Sequence, residues 1–328
     1  MTHAVKISGT GSYLPEKVLT NYDLEKMVDT THEWIHSRSG ISERHIAAEG
    51  EATSHMSAAA ARNALDAAGI TAEDLDMIIV GTITPDMVFP NTACFVQNQI
   101  GAPNAFCFDV EAACSGFLYA IDIARNYISN GSAKHVLVIG AEKLSSITDW
   151  EDRSTCVLFG DGAGAVVLSV ADEGERGIMG TVMGSDGRLN ELLNVPGGGS
   201  RHPASHQTVD DRMHYMKMAG REVFKHAVRC MSDAATTVLA KAGLTVDDVA
   251  CIIPHQANAR IINAIASRLG TKDGIVYMNL ERVGNMSAAS VPVALDEAVR
   301  EGRIKRGDIV LFVAFGGGFT WGASVLEW

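Results

Sequence analysis

The chain of 328 residues is 47% hydrophobic and 20% charged, a soluble globular composition with enough chain for one large core or two fused ones. A net charge of −12 argues against nucleic acid as a main partner. No apolar run reaches the roughly 20 residues that span a bilayer and the N-terminus lacks the flanks of a signal peptide, so no membrane role and a cytoplasmic location are expected.

Val5 to Ser8 reads as a strand entering the turn Gly9-Thr10-Gly11. Asn21 to Leu24 and Thr31 to Ile35 read as short capped helices, Ser57 to Ala68 as a helix stopped by Gly69, and Met77 to Val80 as a buried strand. Thr84 to Pro90 is a loop, and Asn91 can cap the helix after it. Ala105 to Val110 reads as a short buried strand, and apolar residues recur at helical spacing from Phe117 to Ile128.

Cys114 therefore falls at a strand-to-helix turn among the small residues Ala112, Ala113, Ser115 and Gly116. Unpaired amides and the positive end of the helix dipole there lower a thiol pKa from about 8.5 toward neutrality, which makes Cys114 a candidate nucleophile. A free cysteine packed as a small hydrophobe is the other reading. The six cysteines, Cys94, Cys107, Cys114, Cys156, Cys230 and Cys251, show no CxxC pair and no zinc-type spacing, so free thiols and no metal are expected.

Val136 to Gly140 gives a further buried strand. Phe159 to Leu168 gives a glycine turn running into another, which is the wrong context for a dinucleotide fingerprint because such a motif must open a helix. Ala171 to Arg176 is polar and linker-like. Beyond it the order repeats: Leu65 to Ile79 matches Leu239 to Ile253, with Gly69 and Gly243 174 positions apart. Asn130-Gly131 with its following strand matches Glu301-Gly302, and Gly164-Ala165 matches Gly322-Ala323. Two fused α/β halves are expected, 1–173 and 174–328. Aligned on Gly131 and Gly302, Cys114 falls opposite Asn285; aligned on Gly69 and Gly243, Gly81 falls opposite His255, at the carboxyl end of a strand where α/β proteins keep their sites.

With these residues in view, the chain closely resembles the bacterial β-ketoacyl-acyl-carrier-protein synthase III family, the initiating condensing enzymes of type II fatty acid synthesis. The likeness runs through Trp34-Ile-His-Ser-Arg-Ser-Gly-Ile-Ser-Glu-Arg44, Ala112-Ala-Cys-Ser-Gly-Phe117, Phe159-Gly-Asp-Gly-Ala-Gly164, Pro254-His-Gln-Ala-Asn258, Gly284-Asn-Met-Ser-Ala-Ala-Ser290 and Gly316-Gly-Gly-Phe-Thr-Trp-Gly322. It implies a thiolase-like α/β fold, two pseudo-symmetric halves in a layered α/β/α/β/α arrangement. It implies a cytoplasmic homodimeric acyltransferase that condenses acyl-CoA with malonyl-acyl carrier protein and needs no cofactor, acyl-CoA being a substrate. Cys114, His255 and Asn285 are then the catalytic triad, and the Cys114 and Gly317 N–H groups the oxyanion hole.

The same resemblance implies that Trp34, Arg38, Arg153 and Asn258 bind CoA and that Phe89 caps the acyl pocket across a dimer interface. Lys217, Arg221, Lys225 and Arg229 recur every four residues, a cationic stripe if the segment is one helix. Lys225, Arg221, Arg260 and Arg268 are the expected contacts for the acidic carrier protein. Met286 and Ser39 stand where the family commonly has threonine, and Pro196 to Gln207 is long for the family, a candidate mobile loop near the entrance. Other readings are a thiolase, which needs a second cysteine absent from Gly316 to Gly322, and a noncatalytic partner subunit, which would lack the nucleophile. A non-decarboxylating CoA-dependent acyltransferase and a specialised-pathway condensing enzyme remain as alternatives.

Overall fold

The computed structural model describes residues 2–328. Strands Val5–Tyr13, Met77–Gly81, Phe106–Val110, His135–Lys143 and Asp161–Val170 form one sheet, and Ile178–Ser185, Cys251–Pro254, Ile309–Gly316 and Thr320–Glu327 form a second. Met77 and Ile79 pack to one side of their strand and Ile78 and Val80 to the other, all out of contact with solvent. An unbroken apolar run is what a strand covered on both faces requires.

Helices Gly116–Ser129 and Ser290–Arg300 lie between the sheets, where Phe117, Ile121 and Leu295 share one core with strands of both. Helices Thr53–Ala68 and Thr92–Ile100 cover the outer face of the first sheet, and Gly220–Lys241 and Ala259–Leu269 that of the second. The layers are thus α/β/α/β/α, as expected. Asn91 caps its helix as anticipated, its side chain accepting from the Cys94 N–H at 2.9 Å, a bond of a kind that contributes about 1 kcal/mol.

The backbone revises the sequence alignment of the halves. Met77 pairs with Val136 and Cys251 with Val310, and the central helices begin at Gly116 and Ser290, so the equivalence is 174 positions from the first of these strands to the start of the central helix and again at the strand after it. The second central helix has 11 residues against 14, which moves the glycine after it to 171. Anchoring on that glycine set Cys114 opposite Asn285. In the fold Cys114 matches Ala288, and Ala113 matches Ser287, both in the left-handed region with φ 47° and 46°.

Two other expectations change. Phe106–Val110 is not buried: it is the outer strand of its sheet, and Phe106 is 48% exposed. The segment after Val195 is tied down by Gly197 N–H to Met213 O (2.8 Å), by a capped helix His206–Asp210, and by Arg212, which bonds Asp149 and lies 3.1 Å from Glu151. The glycines of Phe159 to Gly164 serve close packing, since a Cβ on Gly164 would lie 2.6 Å from the Val293 nitrogen in the central helix.

Candidate active site

Cys114 occupies the single turn Ala113–Ser115 that leads into Gly116–Ser129. Neither its N–H nor that of Gly317 finds a carbonyl acceptor, so both remain available as donors. Gly316 makes the approach possible: a Cβ there would stand 2.5 Å from the Cys114 nitrogen. Thr320 Oγ1 donates to the Ala112 carbonyl at 2.8 Å and fastens the turn to the second sheet.

His255 follows the strand Cys251–Pro254, its N–H bonded to Val313 O at 2.7 Å. The loop beyond is held by buried Gln256, which donates to Pro254 O (2.9 Å) and Tyr277 O (3.2 Å) and accepts from the Asn279 and Leu280 N–H groups. His255 Nδ1 is buried without a hydrogen-bond partner, so Nε2 is the ring nitrogen left to face the cavity. Asn285 is clamped by its N–H to Leu158 O (2.9 Å) and its carbonyl to Gly160 N–H (3.0 Å). Its amide oxygen accepts from Ser287 N–H at 2.9 Å, which leaves Nδ2 as the donor for a guest.

Cys114, His255, Asn285 and Gly317 line one cavity of about 550 Å³. Ile83, Leu144, Phe159, Val195 and Met216 form an apolar wall, so the ends of the Val195 to Met216 segment shape this chamber. Burial pushes the Cys114 thiol up to about 12, a nearby Ser287 hydroxyl opposing and the Glu142 carboxylate adding to the rise. This reverses the lowering expected from the helix terminus, because removing a thiolate from water costs more than the helix amides return. Burial also drives His255 down to about 3, so its imidazole is neutral.

A second depression, lined by Trp34, Arg38, Arg221, Lys225, Asn258 and Arg260, meets the cavity at Leu158, Gly220, Phe224 and Asn258. The Arg38 and Arg153 guanidinium carbons lie 4.8 and 4.9 Å from the Trp34 ring centre. Asn258 caps the helix Ala259–Leu269 through Arg260 N–H (2.8 Å) and donates to Arg38 O (3.0 Å). Ser39 uses its hydroxyl on Ile35 O (2.6 Å) and borders the second depression, while Met286 is buried against Gly162; neither departure from the family pattern lines the chamber around Cys114.

The four-cation stripe does not form. The helix starts at Gly220, Lys217 lies on the short strand Lys217–Met218 facing Asp149 at 3.6 Å, and Arg268 pairs with Asp233 at 2.9 Å, outside both depressions. Arg221, Lys225 and Arg260 stay together; Lys225 also pairs with Glu222 at 2.8 Å. Phe89 is 82% exposed and absent from the cavity of its own chain.

Glu142 and Ser287, both buried beside Cys114, were missed by reading the sequence. The available signal for Glu142 was a carboxylate continuing the wholly apolar run Val136 to Ala141.

The family model for 3-oxoacyl-[acyl-carrier-protein (ACP)] synthase III matches residues 108–187, and that for its C terminal region matches 239–328. The chain is 57% identical over 325 residues to a beta-ketoacyl-[acyl-carrier-protein] synthase III of Desulfitobacterium hafniense, covering 99% of this chain and 98% of the relative. To the same enzyme of Caldanaerobacter subterraneus it is 55% identical, with the same coverage. Among solved structures, 3-oxoacyl-[acyl-carrier-protein] synthase III from Aquifex aeolicus matches with a TM-score of 0.91 at 52% identity, covering 99% of this chain and 100% of that one.

Proposed function

This chain belongs to the 3-oxoacyl-[acyl-carrier-protein] synthase III family, and from that premise we propose that it catalyses the initiating condensation of fatty acid synthesis. It is an acyltransferase-type condensing enzyme: acyl-CoA and malonyl-acyl carrier protein give 3-oxoacyl-acyl carrier protein, CoA and carbon dioxide. The observation that carries the reading is that a thiol, a neutral imidazole and a carboxamide with its oxygen already occupied line one chamber.

In the first half-reaction the Cys114 sulfur attacks the acyl thioester, and the Cys114 and Gly317 N–H groups hold the tetrahedral oxyanion while CoA leaves. In the second, loss of carbon dioxide puts negative charge on the malonyl thioester oxygen, where His255 Nε2–H and Asn285 Nδ2–H donate. The carbanion then attacks acyl-Cys114. An imidazole held neutral keeps its N–H and suits a donor better than a base. Acyl-CoA is a substrate, and every step uses the chain's own groups. Incubation with both substrates should yield CoA, carbon dioxide and 3-oxoacyl carrier in equal amounts; acyl transfer with no carbon dioxide would overturn the reading.

The CoA adenine goes between Trp34 and Arg153, displacing the Arg153 guanidinium from its 4.9 Å stack on the Trp34 ring, with Arg38 and Asn258 on the path to Cys114. The protein is a cytoplasmic homodimer. The open edge of Phe106–Val110, together with exposed Phe106, Val88 and Phe89, supports pairing with a second copy, which would bring each Phe89 to the other protomer's acyl pocket. Among the described residues no helix is long and apolar enough to cross a membrane. The halves 1–173 and 174–328 each supply one of the two sheets.

Lys225, Arg221 and Arg260 form the carrier-protein contact, at the rim where a phosphopantetheine arm would enter. Lys225→Glu is expected to raise KM for malonyl-acyl carrier protein about tenfold, the effect of about 1.4 kcal/mol. Self-acylation by acyl-CoA should stay near the wild-type rate. Equal loss in both half-reactions would count against the docking role.

A further inference from the structure

Glu142 ends an apolar strand in full burial, one residue from the end of His135–Lys143. Its carboxylate accepts from Thr84 Oγ1 at 2.7 Å, Thr82 Oγ1 at 3.2 Å and the Ile83 N–H at 3.2 Å, all from the turn after Met77–Gly81. Among the described residues no cation answers it: the Lys143 ammonium is turned to Glu51 O at 2.6 Å. On the other side stands Ser287, 2% exposed, whose Oγ lies beside both the Glu142 carboxyl and the Cys114 sulfur yet makes no hydrogen bond of good geometry. The left-handed backbone of Ser287 and its N–H bond to Asn285 Oδ1 hold the hydroxyl in that place.

A buried carboxylate without a counter-ion, an unpartnered hydroxyl and a nucleophilic thiol in sequence describe a path for a proton. We propose that Glu142 is the proton acceptor for the Cys114 nucleophile, reached through the Ser287 hydroxyl. Glu142 touches no substrate atom and acts as a positioning residue for the proton. The inference rests on the condensing reading for the identity of the acyl donor, and on geometry for the rest.

On acylation, the thiol proton passes to the Ser287 oxygen as the Ser287 hydroxyl proton passes to the Glu142 carboxylate. The sulfur electron pair forms the new C–S bond, the old thioester C–S bond breaks, and CoA leaves as a thiolate that takes its proton from water. On condensation, the malonyl carbanion forms the C–C bond, Cys114 departs with the electron pair of its C–S bond, and the proton returns from Glu142 through Ser287. Of the two bases at hand the carboxylate is the better acceptor, since burial lifts Glu142 to about 7 and lowers His255 to about 3; the transfer from the buried thiol is uphill and is drawn forward by formation of the C–S bond. The other charged groups around it are occupied, Asp161 by the Ser145 N–H and Oγ and the Ala47 N–H, and Lys143 as above.

The test is the alkylation rate of Cys114 by iodoacetamide from pH 5 to 9, followed by peptide mass mapping. It needs neither thioester nor carrier, so a wrong substrate assignment would leave it unmoved. The wild-type rate should climb through an inflection near pH 7, where the Glu142 carboxyl ionises. Glu142→Gln and Ser287→Ala should each lose that inflection and fall about tenfold or more at pH 8. A Glu142→Gln rate equal to or above wild type would overturn the proposal, because removal of a neighbouring negative charge alone makes the thiolate easier to form. So would a wild-type profile in Ser287→Ala. That variant keeps the three hydrogen bonds of Glu142 and places alanine in the backbone conformation that Ala113 already adopts, so it decides the matter even if Glu142→Gln unfolds.

Discussion

Cys114→Ala, incubated with acyl-CoA, should gain no acyl mass, and product formation should fall by at least about 10³-fold. The other five cysteines lie outside the cavity, and burial pushes the thiols of Cys107, Cys156 and Cys251 further from ionisation. An alanine fits the small-residue turn without strain, so the loss would report chemistry and not folding. Intact-mass spectrometry checks it; an acyl adduct on the variant would show that another residue carries the group.

His255→Ala and Asn285→Ala should separate the half-reactions. Acylation of Cys114 should continue, because the oxyanion donors proposed for that stage are backbone N–H groups that neither change removes. Carbon dioxide release from malonyl-acyl carrier protein should fall about 10²- to 10³-fold in each, the usual cost of deleting one donor at a developing oxyanion. The direction follows from the resting site: a histidine held near 3 is a poor proton acceptor, and Asn285 has only its Nδ2 to offer. Equal loss of acylation in His255→Ala would make the imidazole the base for Cys114 and would also remove the need for Glu142.

Much of this architecture was legible because the central strands are buried on both faces and the helices carry their own start and stop signals, as at Asn91 and Gly69. The meeting of Cys114 with His255 and Asn285 was reachable from the internal repeat, although by a faulty alignment: a helix shortened by three residues is invisible when only its terminal glycine is matched. Three features were out of reach. The direction of the Cys114 shift depends on how deeply the turn is enclosed, which periodicity does not report. The exposure of Phe106 depends on strand order, since the same apolar run serves a central or an edge strand. Lys217 looked helical by spacing, yet its partner Asp149 lies 68 positions away and pairing with it belongs to tertiary structure.

A single turnover of the isolated acyl-Cys114 protein, freed of CoA, offers the strictest trial. Mixed with malonyl-acyl carrier protein labelled in its free carboxyl, it should release label as carbon dioxide in step with the disappearance of the acyl adduct, and the carrier should emerge as the 3-oxoacyl thioester. Departure of the acyl group onto the carrier with the label still in place would mean that the chamber transfers acyl groups without forming a carbon–carbon bond.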